Sequence, residues 1–183
     1  LGEGYANPTL KKAFEALCLA HVARRIPSAD PSGLPLGASA SAKIFKALLL
    51  DVGLMRSLAA MPDDVEYGRS DLLAIYRGAM AEQFVGQEML ISQNGSLYYW
   101  DRQAKSSSAE VDYLAVMDGR IHPLEVKSGA TGSLKSLHLF LAAYPDCGQA
   151  MVFSDRPYAD LPKQKITFLP LYSVFAATGG AVP

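Results

Sequence analysis

The dipeptide Asp118-Gly119, set between two runs of alternating residues, constrains this chain more than any other feature. Ala109 to Met117 and Arg120 to Ser128 both carry strand-like alternation. Asp-Gly between such runs is a strong short-range signal for a β-hairpin. A two-residue turn makes Met117 face Arg120, and the register then runs outward so that Leu114 faces Pro123, Asp112 faces Glu125 and Glu110 faces Lys127. Facing pairs alternate between hydrogen-bonded and non-bonded, starting bonded at 117–120, which leaves Leu114–Pro123 at a non-bonded position. Proline has no N–H to give to a ladder, so this register tolerates Pro123.

The same counting makes Asp112 and Glu125 a non-bonded pair, with Cα atoms about 4.5 Å apart and side chains on one face. Two ionised carboxylates at that distance repel unless a cation lies between them. Lys127, two residues beyond Glu125, shares its face because side chains alternate along a strand. Nearer the turn that face is apolar (Leu114, Val116, Ile121, Pro123), and the other face carries Val111, Tyr113, Ala115, Leu124 and Val126. Charges on so apolar a hairpin need a reason. One reason is an ion-pair ladder in which Lys127 neutralises Glu110 or Asp112. The other is a metal site, and a third carboxylate bears on the choice. Glu82 falls in a long helical pattern, about Ser70 to Gln93, where its neighbours at three, four and seven positions include Ile75, Ala79, Val85 and Met89. An acid on the packing side of a helix is costly unless it is hydrogen-bonded, paired or metal-bound. Glu88 lies on a different face and reads as solvated. Glu82, Asp112 and Glu125, with the carbonyl of Val126, would form an all-oxygen site suited to Mg2+ or Mn2+ and not to Zn2+. Lys127 beside it would orient or help deprotonate a water and offset charge on a phosphate, which is the chemistry of phosphodiester hydrolysis.

The rest of the chain frames the hairpin. Residues 9–22 read as a helix capped by Thr9, followed by an extended stretch to Ile26, a Pro/Gly/Ser-rich loop over 27–41 and an apolar run from Lys43 to Met55. That layout resembles the back half of a winged helix, and an arbitrary helical subdomain fits as well. Met61-Pro62-Asp63-Asp64 marks a boundary, giving segments 1–62 and 63–183. Ser70 or Asp71 can cap the long helix and Asn94-Gly95 stops it. Strands are expected at Ser96–Trp100, Gln149–Ser154 and Ile166–Leu169, with helices at Leu134–Ala143 and Leu171–Ala177. Tyr98, Tyr99 and Trp100, on one of those strands, read as core before they read as a binding surface. The order helix, three strands, helix, strand points to an α/β domain with a mixed sheet flanked by helices.

Half of the 183 residues are hydrophobic, enough for a sizeable core. No apolar run reaches the 18 or so residues of a membrane span, and Leu1-Gly2-Glu3-Gly4 lacks the basic start of a secretory signal. Cys18 and Cys147 make no zinc or disulfide pattern, which fits a reducing cytoplasm. Net charge is −1, but residues 1–62 carry seven Lys and Arg against four Asp and Glu, a net of +3, so the remainder carries −4. A basic piece beside an acidic metal site would suit DNA, although the asymmetry is small.

Ala109-Glu110-Val111-Asp112-Tyr113, followed by Pro123-Leu124-Glu125-Val126-Lys127-Ser128-Gly129, resembles the core motif of the PD-(D/E)xK nuclease superfamily. With Gly78-Ala79-Met80-Ala81-Glu82-Gln83-Phe84-Val85 and Leu97-Tyr98-Tyr99-Trp100 added, the chain is similar to an uncharacterised C-terminal domain appended to prokaryotic AAA+ type ATPases, over roughly residues 40 to 175. That resemblance implies a restriction-endonuclease-like fold preceded by a partial winged helix. It further implies a Mg2+- or Mn2+-dependent DNA endonuclease, or a catalytically silent DNA- or partner-binding module, working beside an upstream ATPase. Asp112, Glu125 and Glu82 would hold metal, and Lys127 with Glu82 would serve catalysis. Val111 replaces the motif's proline before Asp112, and no Gly-x-x-x-x-Gly-Lys-Ser/Thr occurs in these residues.

Overall fold

A computed structural model describes residues 7–60, 74–104, 107–128 and 133–179. The expected helix caps Ser70 and Asp71 and the boundary at 61–64 lie outside these residues. Among the described residues, eight strands and five α-helices follow in chain order: α1 (Asn7–Leu19), β1 (Ala23–Pro27), β2 (Phe45–Leu49), α2 (Val52–Leu58), α3 (Ala74–Ser92), β3 (Tyr98–Ala104), β4 (Ser107–Met117), β5 (Arg120–Lys127), α4 (Lys135–Ala143), β6 (Ala150–Ser154), β7 (Ala159–Leu161), β8 (Ile166–Pro170) and α5 (Val174–Ala177).

Six strands form one mixed sheet in the order β3-β4-β5-β6-β8-β7. β3, β4 and β5 are antiparallel, β5, β6 and β8 run parallel, and β7 closes the edge antiparallel to β8. Helices cover both faces. Val85 and Met89 of α3 pack with Tyr113, Ala115, Leu124, Val126, Met151 and Phe153. On the other face Leu137 and Phe140 of α4 pack with Val111, Leu114, Ile121 and Val152. Every residue of β6 is buried because both of its sides meet a helix-covered core, as parallel strands require. Trp100 and Tyr99 are core residues, and Trp100 sits edge-on to Phe140 at 5.2 Å.

The hairpin forms in the expected register, from Met117↔Arg120 through Leu114↔Pro123 to Tyr113↔Leu124. Asp118 and Gly119 have φ of 50° and 69°, the left-handed pair that a two-residue hairpin turn demands. The long helix stops at Asn94 and Gly95, both also at positive φ, where the Gly95 N–H donates to the Leu90 carbonyl.

Three expectations change. α1 starts at Asn7, so Thr9 lies inside its first turn instead of capping it. Pro8 fits that turn, where an N–H has no helical partner. The apolar run after Lys43 is a strand and then a helix, α2, whose cap is Asp51 accepting from the Leu54 N–H at 2.8 Å. The strand expected at Ser96 begins at Tyr98, and the exposed edge strand β7 has no hydrophobic pattern that would announce it.

β1 and β2 form a separate antiparallel pair. They dock on the sheet through a bridge between Ser28 and Tyr99 and place Ile26 and Leu48 in the α3-side core. Gln83 of α3 clasps β2, accepting from the Leu49 N–H at 3.1 Å and donating to the Leu49 carbonyl at 2.7 Å. On the outer side, Phe14 of α1 stacks on Phe45 at 5.3 Å with the Arg25 guanidinium over the Phe45 ring.

Candidate metal centre

The geometry of the site starts with a bulge. Along β3–β4 the pairing jumps from Tyr98↔Leu114 to Trp100↔Val111, so Asp112 and Tyr113 together oppose Tyr99. The extra residue breaks strict alternation. Val111 and Leu114 pack on the α4 side, whereas Tyr113 and Ala115 pack on the α3 side. The expectation that Asp112, Leu114 and Val116 share one face is therefore corrected: the bulge turns Asp112 toward α3 and away from the face of Leu114. The β4–β5 ladder ends at Tyr113↔Leu124, one step short of Asp112 and Glu125. Beyond that step the Asp112 side chain takes over, and its Oδ2 accepts from the Val126 N–H at 2.8 Å.

On the α3 side three carboxylates converge. Oxygens of Glu82, Glu110 and Asp112 all lie within 4.8 Å of one another. Glu82 is fixed from below, because the Tyr113 hydroxyl donates to its backbone carbonyl at 2.9 Å. Into the cluster reaches Lys46 of β2, whose Nζ lies 2.6 Å from Glu110, 2.7 Å from Glu82 and 3.6 Å from Asp112. Its ammonium also stands 5.0 Å from the Tyr99 ring centroid. A cavity of about 160 Å³, lined by Lys46, Glu82, Tyr113 and Ile26 among others, opens beside this group. A wider cleft of about 310 Å³ is lined by Glu110 together with Arg102 and Ser136. A depression of about 820 Å³ is at the turn end of the hairpin around Tyr98, Met117 and Asp118, and no carboxylate of this cluster lines it.

Glu125 and Lys127 form a second pair. Lys127 Nζ lies 2.5 Å from Glu125 Oε1. Glu125 Oε2 is buried and has no hydrogen-bond partner among the described residues. A buried carboxylate oxygen left without a partner is expensive. Glu125 is not among the three carboxylates that meet around Lys46, yet it is near enough to feel Asp112. Burial pushes the Glu125 carboxyl up to about 7, helped by the Asp112 charge and opposed by Lys127. Burial and then Glu82 push Asp112 up to about 6, against the pull of Lys46 and the Val126 N–H. Burial alone would lower the Lys46 ammonium, but Glu82, Asp112 and Glu110 together raise it.

Residues 77–174 match the family described as a domain of unknown function (DUF4143). The chain belongs to this DUF4143 family. No curated protein and no solved structure matches the chain. The DUF4143 region holds Glu82, Glu110, Asp112, Glu125 and Lys127, whereas Lys46 comes from the segment before it. The sequence brings Glu82, Asp112, Glu125 and Lys127 to notice. It undervalues Glu110, which is two residues from Asp112 and was paired with Lys127. It gives no local sign of Lys46, which meets Glu82 across 36 positions.

An all-oxygen donor set such as Glu82, Glu110 and Asp112 fits a hard divalent cation. Four carboxylates, Glu82, Glu110, Asp112 and Glu125, share this region with two ammonium groups, those of Lys46 and Lys127.

Proposed function

We propose that this domain is a divalent-metal-dependent DNA endonuclease of the PD-(D/E)xK type, working as the C-terminal part of an ATPase. The observation that carries this reading is the meeting of Glu82, Glu110 and Asp112 within one ion's reach at the end of the β4–β5 hairpin, where Glu125 and Lys127 also stand. Asp112 and Glu82 would hold Mg2+ or Mn2+, with Glu110 as a further donor and Glu125 behind Asp112. The ion supplies Lewis acidity toward a phosphate and lowers the pKa of a bound water. Lys127, held by Glu125, would orient a water or offset charge on the phosphate. The cleft with Arg102 and Ser136 gives a backbone phosphate a cationic and a hydroxyl contact beside the carboxylates.

The test is cleavage of supercoiled, linear and branched DNA with Mn2+ or Mg2+, comparing the parent with Asp112→Asn and Lys127→Met. Metal-dependent nicking that both substitutions abolish supports the reading. No nicking, with no Mn2+ binding by calorimetry, removes it. A second reading has its own observation. Lys46 already neutralises part of the cluster, as in a DNA- or partner-binding module that keeps the fold without cleavage. Mn2+-independent retention of duplex DNA, without nicking, would select it.

A further inference from the structure

We propose that Lys46 is an internal counter-ion that a divalent cation must displace, so that metal binding at the carboxylates frees a residue of β2. The inference rests on the metal reading above and goes beyond it, because Lys46 lies outside the DUF4143 region. Its ammonium touches Glu82 and Glu110 at 2.7 and 2.6 Å and approaches Asp112 at 3.6 Å. Those are the three carboxylates whose oxygens come within one ion's reach of each other. A divalent ion ligated by them would stand where the ammonium stands, and two cations cannot share that space. Outside that cluster, Glu125, with a side chain 7% exposed, keeps one buried carboxylate oxygen without a hydrogen-bond partner among the described residues, and the Asp112 charge reaches it.

The lysine is delivered, not wandering. β2 is clasped to α3 by both hydrogen bonds of Gln83 to Leu49, and Leu48 is buried in the α3-side core. Three residues before Leu49, the Lys46 side chain crosses the Tyr99 and Tyr113 rings to reach the acids. The cavity between Ile26, Met55 and Ala79 lies beside that side chain. Displacement therefore costs the ion the Lys46 contacts and sets its affinity.

Two measurements on the full chain decide this. Lys46→Met should tighten Mn2+ binding by about tenfold or more in calorimetry, the factor expected when a charge-assisted hydrogen bond no longer competes. Lys46→Arg, which keeps a cation there, should bind Mn2+ no tighter than the parent. In the parent protein, amine modification read by mass spectrometry should be slow at Lys46 in chelator and several-fold faster at saturating Mn2+. That second measurement needs no variant to fold. Equal Mn2+ affinity in parent and Lys46→Met, or a Lys46 that stays protected at saturation, overturns the displacement and leaves the metal site standing. No Mn2+ binding by any of the three proteins overturns the metal reading itself, and the displacement with it.

Discussion

Asp112 and Glu125 are carboxylates whose folded environment favours the proton, and this fixes the sign of their pH dependence. Each sits above its ordinary value, at about 6 against 3.8 for Asp112 and about 7 against 4.5 for Glu125. The folded chain therefore binds more protons than the unfolded chain between about pH 4 and 7, and stability falls as pH rises through that window. Above it the penalty is complete and flat. In chelator, the denaturant midpoint should decline from pH 5 to pH 8. Glu125→Gln should flatten the decline and exceed the parent at pH 8 by a few kcal/mol at most, about 1.4 kcal/mol for each pH unit spanned by the shift. A parent whose chelated stability rises with pH would show that ion pairing with Lys127 outweighs burial. Asp112→Asn tests the neighbouring carboxylate. The amide oxygen can still accept from the Val126 N–H, while repulsion from Glu82 is relieved. The variant should match or exceed the parent in chelator. It should lose the Mn2+-dependent gain, which for the parent is about 2.7 kcal/mol at a hundredfold excess over Kd. Strong destabilisation in chelator would instead make Asp112 a structural partner of Lys46.

At the scale of elements, the site depends on how closely α3 approaches β4. Gly86 makes that approach possible. A Cβ there would meet the Tyr113 hydroxyl at 2.5 Å and Leu48 Cδ1 at 2.7 Å. The same hydroxyl holds the Glu82 carbonyl. Gly86→Ala should thus cost about 1–3 kcal/mol from overpacking, despite alanine's better helix propensity. It should also weaken Mn2+ binding, because Glu82 moves with α3. A stability gain, read as a higher denaturant midpoint, would mean that Tyr113 and Leu48 can yield without loss. The bulge is the other element-scale device. It adds one residue to β4 opposite Tyr99 and so aims Asp112 at α3 without disturbing the register near the turn.

Across the whole molecule, the segment before the DUF4143 region shares the core of the sheet. Leu48 of β2 packs in the same cluster as Val85, Met89, Tyr113 and Phe153. Leu48→Ala should cost about 2–5 kcal/mol and should shift one cooperative transition seen equally by circular dichroism and tryptophan fluorescence. Two separated transitions would mean that residues 7–60 fold as an independent unit. Among the described residues no helix is long and apolar enough to cross a membrane.

The local sequence determined the hairpin and its register near the turn. Asp118-Gly119 takes the positive φ pair that few other dipeptides accept, Pro123 fits only certain ladder positions, and alternation carries the count outward as far as Tyr113 and Leu124. The long helix and its stop at Asn94-Gly95 were legible for the same reason, since their signals lie within one or two turns of chain. The bulge was not legible, because it follows from how β4 meets both β3 and α3, and no turn residue marks it. Nor was the partner of the acids. Alternation paired Glu110 with Lys127, but the folded chain gives it Lys46, brought by a strand that pairs with β1 and is pinned by Gln83. Side-chain period and turn chemistry act between near neighbours and can be read along the chain. Which cation reaches a buried carboxylate is settled by the packing of segments far apart in sequence, and only the tertiary structure decided it.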